Sequence, residues 1–197
     1  MSRPRVAQRR TSEQTRELVL EIANELFYWQ GIRAVGVDRI AAAAGIAPTT
    51  LYRLFTSKDD LITAYLERAA DGYRQWFAAA VQPDGRAPRE RILAVFDALI
   101  PQIQPDRCRG CPFLMALSEF PGHAQAVAVK RWVRERFGEL AEELALVDPV
   151  EDPALLADRL TLIMEGAYAS VQALGIGGPA RQARNFAEAI LPVPVSR

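Results

Sequence analysis

Apolar residues recur at three- and four-residue spacing along almost the whole chain, and nowhere do they alternate over the length of a strand. That period gathers them on one face of a helix, so the expected fold is all-α. Over residues 13–29, Leu18, Ile22 and Leu26 stand four apart with Val19, Ala23 and Phe27 beside them, while Glu17, Glu21 and Glu25 occupy another face. Gly31 ends this helix. Two short helices are predicted next, Val37–Ala44 and one from Pro48, with Gly45-Ile46-Ala47 between them. A fourth starts after Thr56-Ser57 and stops before Pro83-Asp84-Gly85. Further helices are predicted from Pro88 to about Ile103, over Pro112–Glu119, from about His123 to Leu146, from Pro153 to Leu174, and after the 175–179 break through Leu191. The total is about nine.

The pair of short helices is the most specific part of this pattern. A DNA-binding helix-turn-helix needs a tight turn, a small residue where the helices cross, and a second helix that buries one face while offering the other. Ala41 is small at the crossing, and Gly45 stands where a left-handed turn residue is wanted. Val37, Ile40, Ala44 and Ile46 supply the inward side of the first helix; Leu51, Leu54 and Phe55 supply that of the second. Thr49, Thr50, Tyr52 and Arg53 are left wholly or partly outside, near the helix N-terminus. A tight hairpin inside a helical bundle has the same turn, but it has no use for that outward set.

Charge agrees. The chain is neutral overall, yet residues 1–58 hold nine Lys or Arg against five Asp or Glu, a balance of +4, and residues 59–197 hold fifteen against nineteen, −4. A basic head on an acidic body fits a head that faces a polyanion.

The run from Gly31 to Leu61 resembles the tetracycline-repressor (TetR) family of transcriptional regulators. Ile40-Ala41, Ala44-Gly45, Leu51-Tyr52, Phe55 and Ser57-Lys58 with Leu61 stand where that family's pattern puts them, and Leu26-Phe27 and Gly31 agree upstream. The likeness is strong over about 15–65; beyond it only length and helix number match. Two positions depart. Gly36 and Ala47 stand where the family usually has capping hydroxyl residues, and Pro48 at the first helical position partly compensates for Ala47. Thr49 replaces a common glycine and adds a side chain at the DNA surface.

The resemblance implies a helix-turn-helix domain over 1–58, with a basic N-terminal arm, and a helical ligand-sensing and dimerisation domain over 59–197. It implies double-stranded operator DNA as partner, read by a homodimer and released by a small-molecule inducer of unstated identity. Thr49, Thr50, Tyr52 and Arg53 are then the DNA contacts, Lys58 grips the backbone, and Arg39 and Gly36 complete the set. Arg3, Arg5, Arg9 and Arg10 have two readings, an arm along the minor groove or phosphates and a solvated tail.

In the body, residues 160–174 carry one charge, Glu165, and are apolar almost all round. Such a helix needs partners on both sides, which predicts a two-fold four-helix interface holding Leu160, Ile163, Ala167 and Val171 with Phe186 and Ile190 of the last helix, the central helix of a monomeric bundle being the competing reading. Phe96, Ile100, Phe113, Leu117, Trp132 and Tyr168 are the expected pocket residues, with plain core as the competing reading for each. Glu165 is either a ligand contact or a paired carboxylate.

Cys108-Arg109-Gly110-Cys111 has the spacing of a disulfide, and Arg107 and Arg109 would lower a thiol pKa, so oxidation is an alternative signal. A buried pair of thiols is the simpler reading. Only His123 could join them around a metal, so no metal or cofactor is expected. The same single histidine, and the lack of a Gly-rich phosphate loop or Ser/His/Asp set, argue against an enzyme. With no 18-residue apolar run, no signal-like h-region and two cysteines, a cytoplasmic protein without membrane contact is expected.

Overall fold

The computed structural model describes residues 10–104 and 106–193, so Arg3, Arg5 and Arg9 of the basic arm lie outside the described residues. Nine α-helices occur among them: α1 (Ser12–Gln30), α2 (Val37–Ala44), α3 (Pro48–Leu54), α4 (Lys58–Ala80), α5 (Pro88–Gln102), α6 (Pro112–Glu119), α7 (Ala124–Ala145), α8 (Pro153–Leu174) and α9 (Ala183–Ile190). A 3-10 turn, Pro179–Gln182, precedes α9. No strand forms among the described residues, and none of their helices is long and apolar enough to cross a membrane.

The helix ends follow their local chemistry. Thr11 caps α1 in a reciprocal box, its hydroxyl accepting the Gln14 N–H at 3.1 Å while the Gln14 carboxamide accepts the Thr11 N–H at 2.9 Å. Pro88, Pro112 and Pro153 each open a helix at a position whose N–H has no helical acceptor. Asp152 caps α8 through the Leu155 N–H at 2.9 Å.

Two compact units meet between Tyr65 and Leu66, not between residues 58 and 59. The first turns of α4 belong to the head because their apolar residues are buried there: Leu61 and Tyr65 are in the core, and Tyr65 meets the Phe27 ring edge-on at 5.6 Å. In the head, α1 packs on both α2 and α3. Its buried line is Val19, Ala23 and Phe27 rather than Leu18, Ile22 and Leu26, which are half-buried. The stripe is turned by one residue, about 100°, because α2 and α3 cover that side.

In the body, α7 contacts α5, α6 and α8, and α9 packs on α5 and α8. The period places Val129, Trp132, Val133, Phe137, Leu140 and Leu144 on one side of α7, and all but the half-buried Trp132 are buried there. Phe137 touches Phe77 at 5.5 Å and Phe96 at 5.9 Å. Arg86 and Arg91 donate to the carbonyls of Ala80 and Val81 at 3.0 and 2.9 Å, satisfying acceptors at the C-terminal end of α4.

Candidate functional site

The turn between α2 and α3 is built on Gly45, which adopts φ 64°, ψ 37°. Its N–H donates to the Ala42 carbonyl at 3.1 Å and the Ile46 N–H to the Ala41 carbonyl at 3.0 Å, the paired bonds of a Schellman stop. Gly36 and Ala47 make no side-chain cap, so α2 and α3 begin on backbone geometry alone. Leu51 and Phe55 are fully buried and fix the inner side of α3. Leu54, expected beside them, is only half-buried, as are Val37 and Ile46. Seven residues make two turns, and Leu54 lies at the edge of the buried strip rather than in it.

The opposite side of α3 is open. Thr49 and Arg53 are exposed, Tyr52 is 49% exposed, and Thr50 is half-buried. Arg39 and Gly36 are exposed on and before α2. Lys58 begins α4, where Ser57 accepts the Asp60 N–H at 3.0 Å and Asp60 accepts the Thr56 N–H at 2.9 Å. This double cap fixes the start of the helix, and the Lys58 ammonium sits 6.0 Å from the Phe27 ring centre. Arg16 lies over the Phe55 ring at 4.8 Å, bracing the end of α3 from α1.

Short helices joined by a left-handed glycine, a second helix locked from behind, and hydroxyl, phenol and guanidinium groups in front define a helix-turn-helix DNA-binding unit. The comparisons with known proteins agree. Residues 19–65 match the family model described as bacterial regulatory proteins, tetR family. SCO4454 of Streptomyces coelicolor, a TetR-family transcriptional regulator, is 30% identical with a TM-score of 0.81, over 89% of this chain and 93% of that one. A TetR regulator of Chloroflexus aurantiacus is 27% identical with a TM-score of 0.80, over 94% and 98%. The HTH-type regulator YjdC of Escherichia coli is 24% identical over 153 residues, 77% of this chain and 80% of its own length. The chain belongs to the TetR family of transcriptional regulators and is a DNA-binding protein of that class.

The body holds a polar cluster that the period alone does not reveal. Lys130 stands within the inward face of α7 and donates to Glu165 at 2.7 Å, both side chains more than four-fifths buried. Its ammonium lies 5.9 Å from the Tyr73 ring and 5.7 Å from the Phe113 ring, and it also bonds the Cys111 thiol. Tyr73 donates to the Met164 sulfur at 2.9 Å, stacks on Tyr168 at 6.4 Å and interacts with its hydroxyl. Burial raises the Tyr73 pKa well above the ordinary tyrosine value. Burial also opposes the charge on Lys130, but Cys111 and Glu165 outweigh it and its pKa is raised. Glu165 Oε2 is buried and accepts no hydrogen bond from any described residue. Lys130 and Tyr73 were not among the expected site residues; a lysine on an apolar helix face was the available signal.

Of the expected pocket residues, Phe96 and Phe113 are fully buried, Tyr168 is buried, and Ile100, Leu117 and Trp132 are half-buried. A cavity of about 550 Å³ lies elsewhere, between α6, α8 and the loop before α6, and its walls include Cys108, Met115, Ser118, Glu119, Val171 and Gln172. None of the six expected residues lines it. Phe96 instead stacks on Phe137 as core.

Three of the expected interface residues are also placed differently. Leu160, Ala167 and Val171 are buried by the chain's own packing. The open face of α8 carries Leu162, 72% exposed, with Leu155, Gly166, Ala169 and Leu174. Phe186 is 56% exposed on α9, and Ile163 and Ile190 are half-buried. An apolar period all round α8 left its rotation open, and α7, α9 and the 3-10 turn took the other sides.

Both cysteines are free and buried. The expectation that neighbouring arginines lower a thiol pKa fails at Cys111, whose pKa burial raises despite Lys130. No group of three or more His, Cys, Asp or Glu among the described residues is placed to hold a metal ion.

Proposed function

We propose that the protein is a repressor that binds a pseudo-palindromic operator as a homodimer in the cytoplasm and is released by a small-molecule inducer. The observation that carries this is α3 itself, held from behind by Leu51 and Phe55 while Thr49, Tyr52 and Arg53 stand free in front. Thr49, Thr50 and Arg53 meet base edges and phosphates of the major groove, Tyr52 and Lys58 meet phosphates, and Arg39 and Gly36 border the same surface. Half-sites one helical turn apart, about 34–36 Å, require two copies.

The second copy docks on the open face of α8 and α9. Leu162, Leu174 and Phe186 are large apolar residues more than half exposed in one chain, and Gly166 and Ala169 permit close helix approach. In a two-fold pair each buries itself against the same face of the other, giving a four-helix interface. An inducer in the body favours a state whose two heads no longer match the half-site spacing.

The test is a gel shift with full-length protein against the DNA flanking its own gene, backed by selection from genomic fragments. The expected result is sequence-selective binding that weakens steeply with salt. Binding equal to that of random DNA in both experiments overturns the reading.

A further inference from the structure

We propose that the cavity between α6 and α8 is the effector site and that the Lys130–Glu165–Cys111 cluster is its inner end, selecting a neutral aromatic molecule with a hydrogen-bond donor, a phenol or an aryl amine. The proposal rests on the reading of the protein as a ligand-released regulator.

Lys130, Glu165 and Cys111 do not line the cavity themselves, but Glu165 and Cys111 stand on the faces of α8 and α6 that do. On α8, Glu165, Tyr168 and Gln172 follow at three- and four-residue steps, so the face that carries the cluster becomes the cavity wall about two turns later. On α6, Cys111 stands just before the first helical residue, and Met115 and Ser118 continue the same line into the cavity. The loop before α6 closes onto α8: the Gln172 amide donates to the Arg109 carbonyl, and Gly110, at φ 139°, leaves room that any Cβ would take from the Gln172 side chain. A volume of about 550 Å³ suits a small organic molecule.

The chemistry narrows the guest. A buried ion pair contributes less to stability than apolar residues of the same volume, so Lys130 and Glu165 are not explained by folding. Their charges cancel, and a charged guest would bring an uncompensated charge into the interior. The unmet capacity is at Glu165 Oε2, an acceptor without a donor. Tyr73, Phe113, Trp132 and Tyr168 surround the cluster with rings, Tyr73 touching each of the other three. A flat ring that presents one O–H or N–H matches both features.

The experiment is calorimetric titration of full-length protein with four naphthalenes of one shape: 2-naphthol, 2-methoxynaphthalene, 2-naphthoate and 2-naphthyltrimethylammonium. We expect 2-naphthol to bind about tenfold or more tighter than the other three, as a hydrogen bond to a buried carboxylate provides. In the double variant Lys130→Met with Glu165→Leu, which keeps volume and removes both charges, 2-naphthol and 2-methoxynaphthalene should bind equally. Ser118→Phe, at an exposed position on the cavity wall, should weaken every probe. A thermal unfolding transition establishes that each variant is folded. Absence of 2-naphthol binding, tighter binding of either charged probe, a donor preference that survives the double variant, or indifference to Ser118→Phe each overturns the proposal. A gel shift on the same preparation separates the two readings: DNA bound without naphthol binding refutes this site alone, while naphthol binding without operator recognition refutes the regulator.

Discussion

Leu160 and Leu162 lie two residues apart on α8 and face opposite environments, 0% and 72% exposed, so truncating each one reads a different interaction. Leu162→Ala removes three carbon atoms, worth about 2.4 kcal/mol if fully transferred from water. Scaled by the 72% that a partner can still cover, this is roughly 1.7 kcal/mol per copy. An isologous interface contains the residue twice, so the dimer loses about 3.5 kcal/mol, roughly a 300-fold rise in its dissociation constant. Leu160→Ala instead opens a cavity inside one subunit and costs about 2–5 kcal/mol of folding stability, with little direct effect on the docked face. Sedimentation equilibrium over a concentration series, with thermal unfolding alongside, separates the two outcomes. If Leu162→Ala leaves the dissociation constant unchanged while Leu160→Ala releases folded monomers, the assigned rotation of α8 is wrong.

Four further outcomes are expected. Tyr52→Ala and Lys58→Ala should each weaken operator binding and reduce the slope of log affinity against log salt by about 0.9 per lost phosphate contact, with the fold intact; unchanged slopes would remove them from the backbone set. Ala47→Ser supplies the missing cap of α3 and should raise stability by about 0.5–2 kcal/mol in denaturant titration, and a lowered midpoint would count against the cap geometry. Gly45→Ala has free space around its Cβ, so the cost is conformational alone, about 1–2 kcal/mol, and Gly45→Asn should recover part of it. Tyr73 keeps its proton more tightly when folded than unfolded, so stability should fall as pH rises above the unfolded tyrosine value of about 10. Lys130 acts in the same direction because its pKa is raised too. Comparing urea midpoints across that range, Tyr73→Phe should flatten the fall, and a slope identical to the parent's would exclude Tyr73 as its source.

The head was legible because its determinants are local. Gly45 fixes a left-handed turn by itself, Pro48 opens a helix by itself, and seven residues leave little choice of which side of α3 meets α1 and α2. Thr49, Tyr52 and Arg53 therefore stand outward as the spacing predicts. Leu54 marks the limit, since a period gives a face but not its width.

By itself the sequence determined the helices, their breaks, and the surface offered by α3, because capping, turn chemistry and period act between residues a few positions apart. Tertiary structure alone decided which way α8 turns and what its Glu165 carboxylate meets. A helix apolar on every side has no preferred rotation until α7 and α9 cover it. Only then do Leu160, Ala167 and Val171 go inside, Leu162 and Phe186 stay out, and Lys130, 35 residues before Glu165 in the chain, come within 2.7 Å of it.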